Sequence, residues 1–160
     1  MVIFDFSKSS DLSNWNVVDD VVMGGESSGS FIIDSSGNGV FKGFVSLANN
    51  GGFSLVRYRF KSVGTSEYKT FRIRIKGDGK KYQFRVKSKA SNHYSYIGYI
   101  SASVDWQIVE IPFNELYPSF RGRKLRQPNF SGNYMEEIGF LIGNKKAEDF
   151  QLEIDKIEII

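Results

Sequence analysis

The sequence predicts an all-β protein, a β-sandwich of the jelly-roll type, formed by one domain over residues 1–160. Three observations support this prediction. Fourteen Phe and eight Tyr against only three Pro are typical of a strand-rich chain. About ten short segments with alternating apolar and polar residues follow one another at regular spacing. The length allows one substantial hydrophobic core, and there is almost no helical periodicity.

The strands follow from runs of alternating or β-branched and aromatic residues, bounded by turn residues. In chain order they cover residues 2–6, 15–22, 31–34, 40–48, a segment from the Asn50-Gly51 turn to Phe60, and residues 70–76, 82–87, 95–101, 106–111, 137–142 and 150–160. One helical turn is predicted at residues 112–116, where Pro112 is a helix-start residue. Residues 117–134 are predicted as a long loop.

The first of two predicted hairpins turns at Asn50-Gly51, because Asn-Gly is a strong signal for a two-residue hairpin loop. This register places Val45 opposite Val56 on an apolar face. On the other face it places Phe44 opposite Arg57, an aromatic ring beside a guanidinium, which suits stacking on a ligand or on each other.

The second predicted hairpin turns at Asp78-Gly79 and pairs two strictly alternating segments. Its apolar positions would meet each other, with Ile75 opposite Tyr82. Its polar positions would place Arg72 opposite Arg85, and like charges directly opposite each other are mildly destabilising. We therefore expect an acidic neighbour or screening by solvent.

The net charge is only +3, but the charges are distributed unevenly. Residues 57–90 carry twelve Lys or Arg and two Asp or Glu, whereas the segments on either side are acidic overall. One interpretation is a solvated sheet face whose charges prevent edge pairing with other molecules. The other is a binding surface for an anionic or acidic-protein partner.

Several classes of catalytic and cofactor site are disfavoured by the composition. The chain has no Cys, so disulfides, thiolate metal sites and a cysteine nucleophile are excluded. Its single histidine, His93, lies in a polar turn and is interpreted as an exposed turn residue. Asp19 and Asp20 are adjacent and would point to opposite faces of a strand, which does not suit a paired acid and base. We predict no catalytic residues and no enzymatic activity.

Cofactors are not predicted, with structural Ca²⁺ kept as the alternative. Asp19, Asp20, Glu26 and Asn49 offer oxygen ligands, but their spacing is not that of a dedicated calcium loop. Gly24-Gly25 lacks the Lys-Ser/Thr of a phosphate loop. Nucleic acid is not predicted as a partner, because the basic loop around Arg121 contains one aromatic residue where base-stacking proteins use several. No apolar run is long enough for a membrane span.

Two glycine pairs, Gly24-Gly25 and Gly51-Gly52, bracket the segment on which the chain is organised. Glycine is used where the backbone needs a positive φ or approaches another group closely. We expect the intervening strands to bring residues 19–23 near the Asn49-Asn50 turn. The predicted binding residues gather at this corner and beside it: Asp19, Asp20, Met23, Gly24, Gly25, Ser27, Phe44, Asn50, Gly51, Gly52, Arg57 and Arg121.

The motifs of this segment resemble the complex I intermediate-associated protein family, the thirty-kilodalton assembly-factor class. The resemblance extends over nearly the whole chain, in the order of the family. It rests on Asp-Asp-Val-Val-Met-Gly-Gly at residues 19–25 with Ser27, Phe-Lys-Gly at 41–43, Asn-Gly-Gly-Phe at 50–53 with Arg57, Phe-Arg-Gly-Arg at 120–123, and the closing strand at 150–157.

The resemblance implies a galactose-binding-like β-sandwich without known catalytic residues. Eukaryotic members of the family are mitochondrial and help to assemble the membrane arm of respiratory complex I. This sequence begins directly with a strand, with no room for a targeting peptide. We therefore expect a bacterial-type, cytoplasmic member, whose partner would be another protein, such as a membrane-complex assembly intermediate.

Three hypotheses for the motif residues stay open. In the first, the chain is a protein-interaction module or chaperone-like assembly factor that uses Asp20, Met23, the glycine pairs and Arg57. In the second, it is a carbohydrate-binding module, with Phe44, Tyr94 or Tyr96 stacked on sugar rings. In the third, Asp20 and Arg57 form a buried ion pair of purely structural use.

Overall fold

The computed structural model describes residues 1–20 and 24–160. The described residues form thirteen strands and short 3-10 turns, two of them at Ala48–Asn50 and Phe113–Glu115. The strands are β1 (Val2–Asp5), β2 (Trp15–Asp19), β3 (Ser28–Ile33), β4 (Gly39–Val45), β5 (Ser54–Gly64), β6 (Thr70–Lys76), β7 (Lys81–Lys87), β8 (Ser95–Ser101), β9 (Gln107–Pro112), β10 (Tyr117–Phe120), β11 (Arg123–Lys124), β12 (Tyr134–Ile142) and β13 (Glu148–Ile159).

The strands form two antiparallel sheets, as the predicted β-sandwich requires. The six-stranded sheet has the order β3-β4-β13-β6-β9, with β1 also paired to β13. The seven-stranded sheet has the order β11-β10-β8-β7-β12-β5-β2. The all-β, jelly-roll fold class is therefore confirmed.

The core lies between the two sheets, where alternate residues of each strand point inward. Phe71 from the six-stranded sheet packs against Phe84 from the seven-stranded sheet, with ring centroids 4.8 Å apart. Phe84 also packs against Phe140 of β12 at 5.4 Å, and all three rings are fully buried. Burial of a phenylalanine side chain contributes roughly 1.5–3 kcal/mol before the loss of conformational entropy.

Both predicted hairpins are wrong in their pairing. The chain crosses from the six-stranded to the seven-stranded sheet between β4 and β5, and again between β6 and β7. Asn50 is the last residue of the 3-10 turn and Gly51 follows it, so the two residues do not form a two-residue hairpin loop; Asn50 has a φ of 61°. At Asp78-Gly79, Asp78 accepts hydrogen bonds from the Tyr82 hydroxyl (2.9 Å) and from the backbone of Gln151 (2.8 Å). These bonds stabilise a crossing between the sheets.

The crossing also changes the charge neighbours of β6. Arg72 lies opposite Glu110 and Glu158 in the six-stranded sheet, and it contacts the Glu110 carboxylate at 3.0 Å. Arg74 contacts the Asp155 carboxylate at 3.0 Å. The acidic neighbours expected for this part of the basic segment therefore belong to the chain itself.

The segment predicted as a long loop contains β10 and β11. Residues of β10 pair with β8, from Tyr117 opposite Ile97 to Ser119 opposite Ser95. The basic Arg123–Lys124 segment is the edge strand β11 beyond it. These strands are short and contain a proline, so their sequence pattern is weak.

Candidate functional site

Asp20 is the centre of a hydrogen-bonded clasp at one end of the sandwich. Its carboxylate is 1% exposed and accepts four hydrogen bonds. Ser27 donates from its backbone N–H (2.9 Å) and from its hydroxyl (2.6 Å), while the backbone N–H groups of Gly52 (2.5 Å) and Phe53 (3.2 Å) donate from the two residues just before β5. The Ser27 hydroxyl also accepts a hydrogen bond from the backbone of Ser46 at 2.9 Å.

The pKa of Asp20 lies below the ordinary value for a carboxyl group. Burial by itself raises the pKa, because it disfavours the charged form. The hydrogen bonds from Ser27, Gly52 and Phe53 stabilise the carboxylate and outweigh this effect. Asp20 is therefore a satisfied buried anion.

The glycines of the motif allow the backbone to approach this carboxylate. A Cβ atom at Gly25 would lie 2.3 Å from Asp20 Cγ, and a Cβ atom at Gly51 would lie 2.4 Å from Asp20 Oδ2. Neither distance is compatible with a side chain unless the carboxylate moves. Gly25 from the first pair, and Gly51 and Gly52 from the second, thus come together around one acid, although the pairs are far apart in the sequence.

Asp19 makes a second link between the sheets. One of its carboxylate oxygens accepts a hydrogen bond from the Ser54 hydroxyl (2.5 Å), and the other accepts one from the backbone N–H of Gly29 (3.0 Å). Ser54 belongs to β5 in the seven-stranded sheet and Gly29 to β3 in the six-stranded sheet. Adjacent aspartates therefore join the two sheets with different sets of donors.

The predicted corner exists, but its residues have different roles. Asp20, Gly25 and Ser27 are buried and so have no surface for direct contact with a partner. Gly24 and Asn50 are exposed, and both have a positive φ; their contact with a partner stays a prediction. Met23 lies outside the described residues.

The hypothesis of a buried Asp20–Arg57 ion pair is wrong. In residues 1–20 and 24–160, the contacts of the Asp20 carboxylate come from Ser27 and the backbone of residues 52–53, and Arg57 has no carboxylate partner within 4.0 Å. Arg57 belongs to β5 but lies four residues beyond Phe53, which is about 13 Å along an extended strand.

The alternative of structural Ca²⁺ has no additional support from the geometry. The Asp19 and Asp20 carboxylates already accept hydrogen bonds from the protein. Among the described residues, no group of three or more His, Cys, Asp or Glu side chains is arranged to hold a metal ion. Structural Ca²⁺ therefore stays an untested alternative from the sequence.

Arg57 lies on the outer face of the seven-stranded sheet, where it is half-buried, together with cations that the sequence did not place there. Across β5, β12 and β7 the register aligns Arg57 with Gly139 and Arg85, and the next row aligns Arg59 with Glu137 and Lys87. Residues directly opposite each other in an antiparallel sheet share one face. We call this set of residues, Arg57, Arg59, Arg85, Lys87, Glu137 and Gly139, the cationic face.

Glu137 is the carboxylate that compensates the cationic face. Its Oε1 atom lies 2.6 Å from Arg59 Nε, and its side chain is 7% exposed. Burial lowers the pKa values of Arg57, Arg85 and Lys87, and the negative charge of Glu137 raises all three. Glu137 thus forms an ion pair with Arg59 and stabilises the charged forms of Arg57, Arg85 and Lys87.

A groove of about 450 Å³ continues the cationic face toward the loops. Its walls are formed by β2, β5, β7 and β12 and by the residues before β8 and after β10. The lining residues are Val18, Gly52, Phe53, Leu55, Gln83, Arg85, His93, Phe120, Arg121, Gly122, Leu141 and Gly143. Two of the predicted site residues, Gly52 and Arg121, are among them.

Phe44 does not lie beside Arg57. It is exposed on the six-stranded sheet, opposite Ser28 of β3 and Asp149 of β13. Arg57 lies in the other sheet, opposite Asn16 and Gly139. The predicted aromatic–guanidinium pair is therefore wrong, because it depended on the incorrect hairpin.

The other aromatic residues considered for sugar stacking also have structural contacts. Tyr96 is partly buried and packs against Phe130, with ring centroids 5.3 Å apart. Tyr94 packs edge-on against Tyr96 and against His93. The aromatic ring that lines the groove beside His93 is Phe120, 4.9 Å from it.

The sequence interpretation missed Arg59, Arg85, Lys87, Glu137 and Gly139 as members of one face. A partial signal exists, because Arg57 and Arg59, and likewise Arg85 and Lys87, alternate with buried residues. Alternation places each pair on the outside of its own strand. It does not indicate that both strands flank β12.

No helix in the described part of the chain combines the length and apolar character that crossing a membrane requires.

Among solved structures, the fold is similar to the family 11 carbohydrate-binding module of the cellulosomal cellulase Lic26A-Cel5E of Clostridium thermocellum. The TM-score is 0.72 and the sequence identity is 17%, over 100% of this chain and 93% of that one. Identity at this level indicates a common fold and does not transfer the ligand.

Two curated relatives carry the name complex I intermediate-associated protein 30, mitochondrial. The protein from Drosophila melanogaster is 28% identical over 98% of this chain, and the protein from Mus musculus is 26% identical over 99%. The chain spans 61% and 55% of the lengths of these relatives. The family model described as complex I intermediate-associated protein 30 matches residues 4–154, and the chain belongs to this family.

Proposed function

We propose that the chain is a non-catalytic protein-binding module of the assembly-factor type, which holds a partner in the groove and on the adjoining cationic face. The proposal is carried by one observation: this side of the seven-stranded sheet is half apolar and half cationic. A row of Leu55, Leu141 and Gln83 lies directly beside the row that contains Arg57 and Arg85. Such a mixture is typical of protein interfaces, which combine apolar contact with Arg.

The chemistry of the groove supports a binding role over catalysis. The residues that line it include no carboxylate, and His93 is the one lining residue with an imidazole side chain. The ring of His93 packs edge-on against Phe120 and Tyr94. A general acid–base mechanism needs a proton-transfer group placed and oriented beside its substrate.

The two curated relatives are named for an association with complex I intermediates. By analogy, the partner of this chain is an intermediate of a membrane complex, captured through an exposed protein segment. The expected compartment of this chain, the cytoplasm, stays a prediction, since both relatives are named as mitochondrial. The Asp19–Asp20 clasp would support the site by fixing the start of β5, which borders the groove.

A crosslinking pull-down from the native cells tests the proposal with two charge reversals. Arg121→Glu changes an exposed residue of the groove, and Lys42→Glu changes an exposed residue of the six-stranded sheet as the control. We expect wild type and Lys42→Glu to recover the same proteins, and Arg121→Glu to recover about tenfold less of them. Equal recovery by Arg121→Glu would contradict the assignment of the groove.

Carbohydrate binding is the second candidate, because aromatic rings line the same groove. Phe53 and Phe120 are both lining residues, and rings of this kind stack on sugar faces in binding modules. A panel of soluble oligosaccharides, measured by calorimetry with wild type and Phe120→Ala, tests this candidate. Binding in the millimolar range or tighter that is lost in Phe120→Ala would favour carbohydrate over protein.

A further inference from the structure

In the cationic face, two arginines, Arg57 and Arg85, have a glycine between them, Gly139. Arg57 on β5 and Arg85 on β7 lie directly opposite Gly139 on the intervening strand β12. At the usual strand spacing, their Cα atoms are about 10 Å apart. Both side chains leave the same face of the sheet, and no side chain of β12 separates them in this row.

Neither arginine has a carboxylate partner among the described residues. Arg85 donates a hydrogen bond from Nη1 to the neutral amide oxygen of Gln83 at 2.8 Å. Arg57 Nε is buried and has no hydrogen-bond partner within residues 1–20 and 24–160. A buried donor without an acceptor is costly, so this atom marks a place where an acceptor would be favourable.

The charges around the pair compensate it only in part. In the adjacent row, Glu137 is engaged by Arg59 at 2.6 Å, and Lys87 donates to the backbone oxygen of Asn92 at 2.8 Å. Burial lowers the pKa of Arg57 and the neighbouring positive charge of Arg59 lowers it further, whereas the negative charge of Glu137 raises it without restoring the ordinary value. An anion between the arginines would offset both effects.

Strand β6 of the six-stranded sheet, by contrast, has arginines that are neutralised by carboxylates of the same chain. There, Arg72 and Arg74 are paired with Glu110 and Asp155 at 3.0 Å. The arginines of β6 are therefore neutralised within the chain, whereas the cationic face keeps an excess of positive charge. The excess lies beside the groove.

We propose that Arg57 and Arg85 form a seat for a carboxylate of an acidic segment in the partner protein. This inference rests on the proposed protein-binding function and names the chemistry that the partner presents. A guanidinium pairs with a carboxylate through parallel N–H bonds, and the guanidinium groups of Arg57 and Arg85 supply such donors. The apolar row of Leu55 and Leu141 lies next to the seat, so the acidic residue is flanked by an apolar one in the partner segment.

Fluorescence anisotropy with short labelled peptides tests the seat on the intact chain. One peptide carries Glu and Asp with Leu or Phe at every third position, and its matched analogue carries Gln and Asn in place of the acids. We expect the acidic peptide to bind at least about tenfold more tightly than its amide analogue. The difference should shrink as NaCl is added, because salt screens charge pairs.

Three variants locate the binding. The double variant Arg57→Gln/Arg85→Gln should bind the acidic peptide about tenfold more weakly than wild type. Arg72→Gln, an exposed arginine of the opposite sheet, is the matched control and should bind as wild type does. Arg85→Gln alone, measured with its melting curve, keeps the test available if the double variant does not fold. Equal binding by wild type and the folded Arg85→Gln variant would overturn the proposal.

Competition identifies other occupants. If polygalacturonate displaces the peptide and binds more tightly than it, the site takes an anionic polysaccharide and the proposal is overturned. If inorganic phosphate binds and the acidic peptide does not, the proposal is likewise overturned. Failure of the seat is distinguishable from failure of the proposed function: a loss of partner capture in Arg121→Glu, without a loss in Arg57→Gln/Arg85→Gln, removes the seat alone.

Discussion

Asp20 Oδ2 accepts a 2.5 Å hydrogen bond from the backbone N–H of Gly52, thirty-two residues farther along the chain. This bond joins the residue after β2 to the segment just before β5, and the Asp20 carboxylate also binds Ser27, which precedes β3. The most distinctive motif of the sequence therefore forms an internal clasp. It shapes the border of the groove, whereas the excess positive charge lies farther along β5.

Asp20→Asn should destabilise the fold by about 1–3 kcal/mol, because the amide NH₂ would face N–H donors that now meet a carboxylate oxygen. Chemical denaturation of wild type and variant measures the free energy of unfolding. Glu67→Gln changes an exposed acid and serves as the control, with an effect within about 0.5 kcal/mol. A variant as stable as wild type would contradict the structural role of the clasp.

Stability should fall in acid through Asp20. Its pKa in the folded state is lower than the ordinary value of 3.8, so the folded chain binds this proton less readily than the unfolded chain. The stabilisation is complete above pH 3.8 and is lost as the pH falls through the folded-state pKa. Thermal melts between about pH 6 and pH 2 should show the gap between wild type and Asp20→Asn narrowing at the acidic end. A gap that stays constant would exclude Asp20 as the titrating group.

Gly25→Ala should cost about 1–3 kcal/mol, since the new methyl group would lie 2.3 Å from Asp20 Cγ and force the carboxylate to move. Gly64→Ala is the matched control, because nothing lies within 4 Å of its Cβ position. A double-mutant cycle of Gly25→Ala with Asp20→Asn should be non-additive, because both changes act on the same contacts. Additive effects would mean that Gly25 acts apart from Asp20.

Arg57→Gln and Glu137→Gln should have opposite effects on stability. Removing the charge of Arg57 relieves its repulsion with Arg59 and the cost of its burial, so the melting temperature should stay level or rise. Removing the charge of Glu137 leaves Arg59 without its partner and should lower the free energy of unfolding by about 1–3 kcal/mol. This range is kept low because Arg59 is partly exposed and solvent screens its charge. Calorimetric melts measure both. Destabilisation by Arg57→Gln would indicate that the arginine stabilises the fold instead of being kept for binding.

Alternation alone was sufficient to identify much of the core. The inward positions predicted on residues 70–76 and 82–87 are Phe71, Ile73, Ile75, Tyr82, Phe84 and Val86, and all are buried in the structure. Side-chain direction repeats every two residues within one strand, so it depends on local sequence. The motif around Asp20 likewise identified the family and one corner of the molecule.

The neighbours of each strand could not be obtained in this way. β5 pairs with β12, about eighty residues away in sequence, and not with β4, which directly precedes it. The all-β class, the inward residues and the glycine-containing turns could be predicted, because each is a property of a short segment. The position of Arg57 beside Gly139 and Arg85 instead of Phe44 could not, because strand partners depend on how the two sheets pack as a whole.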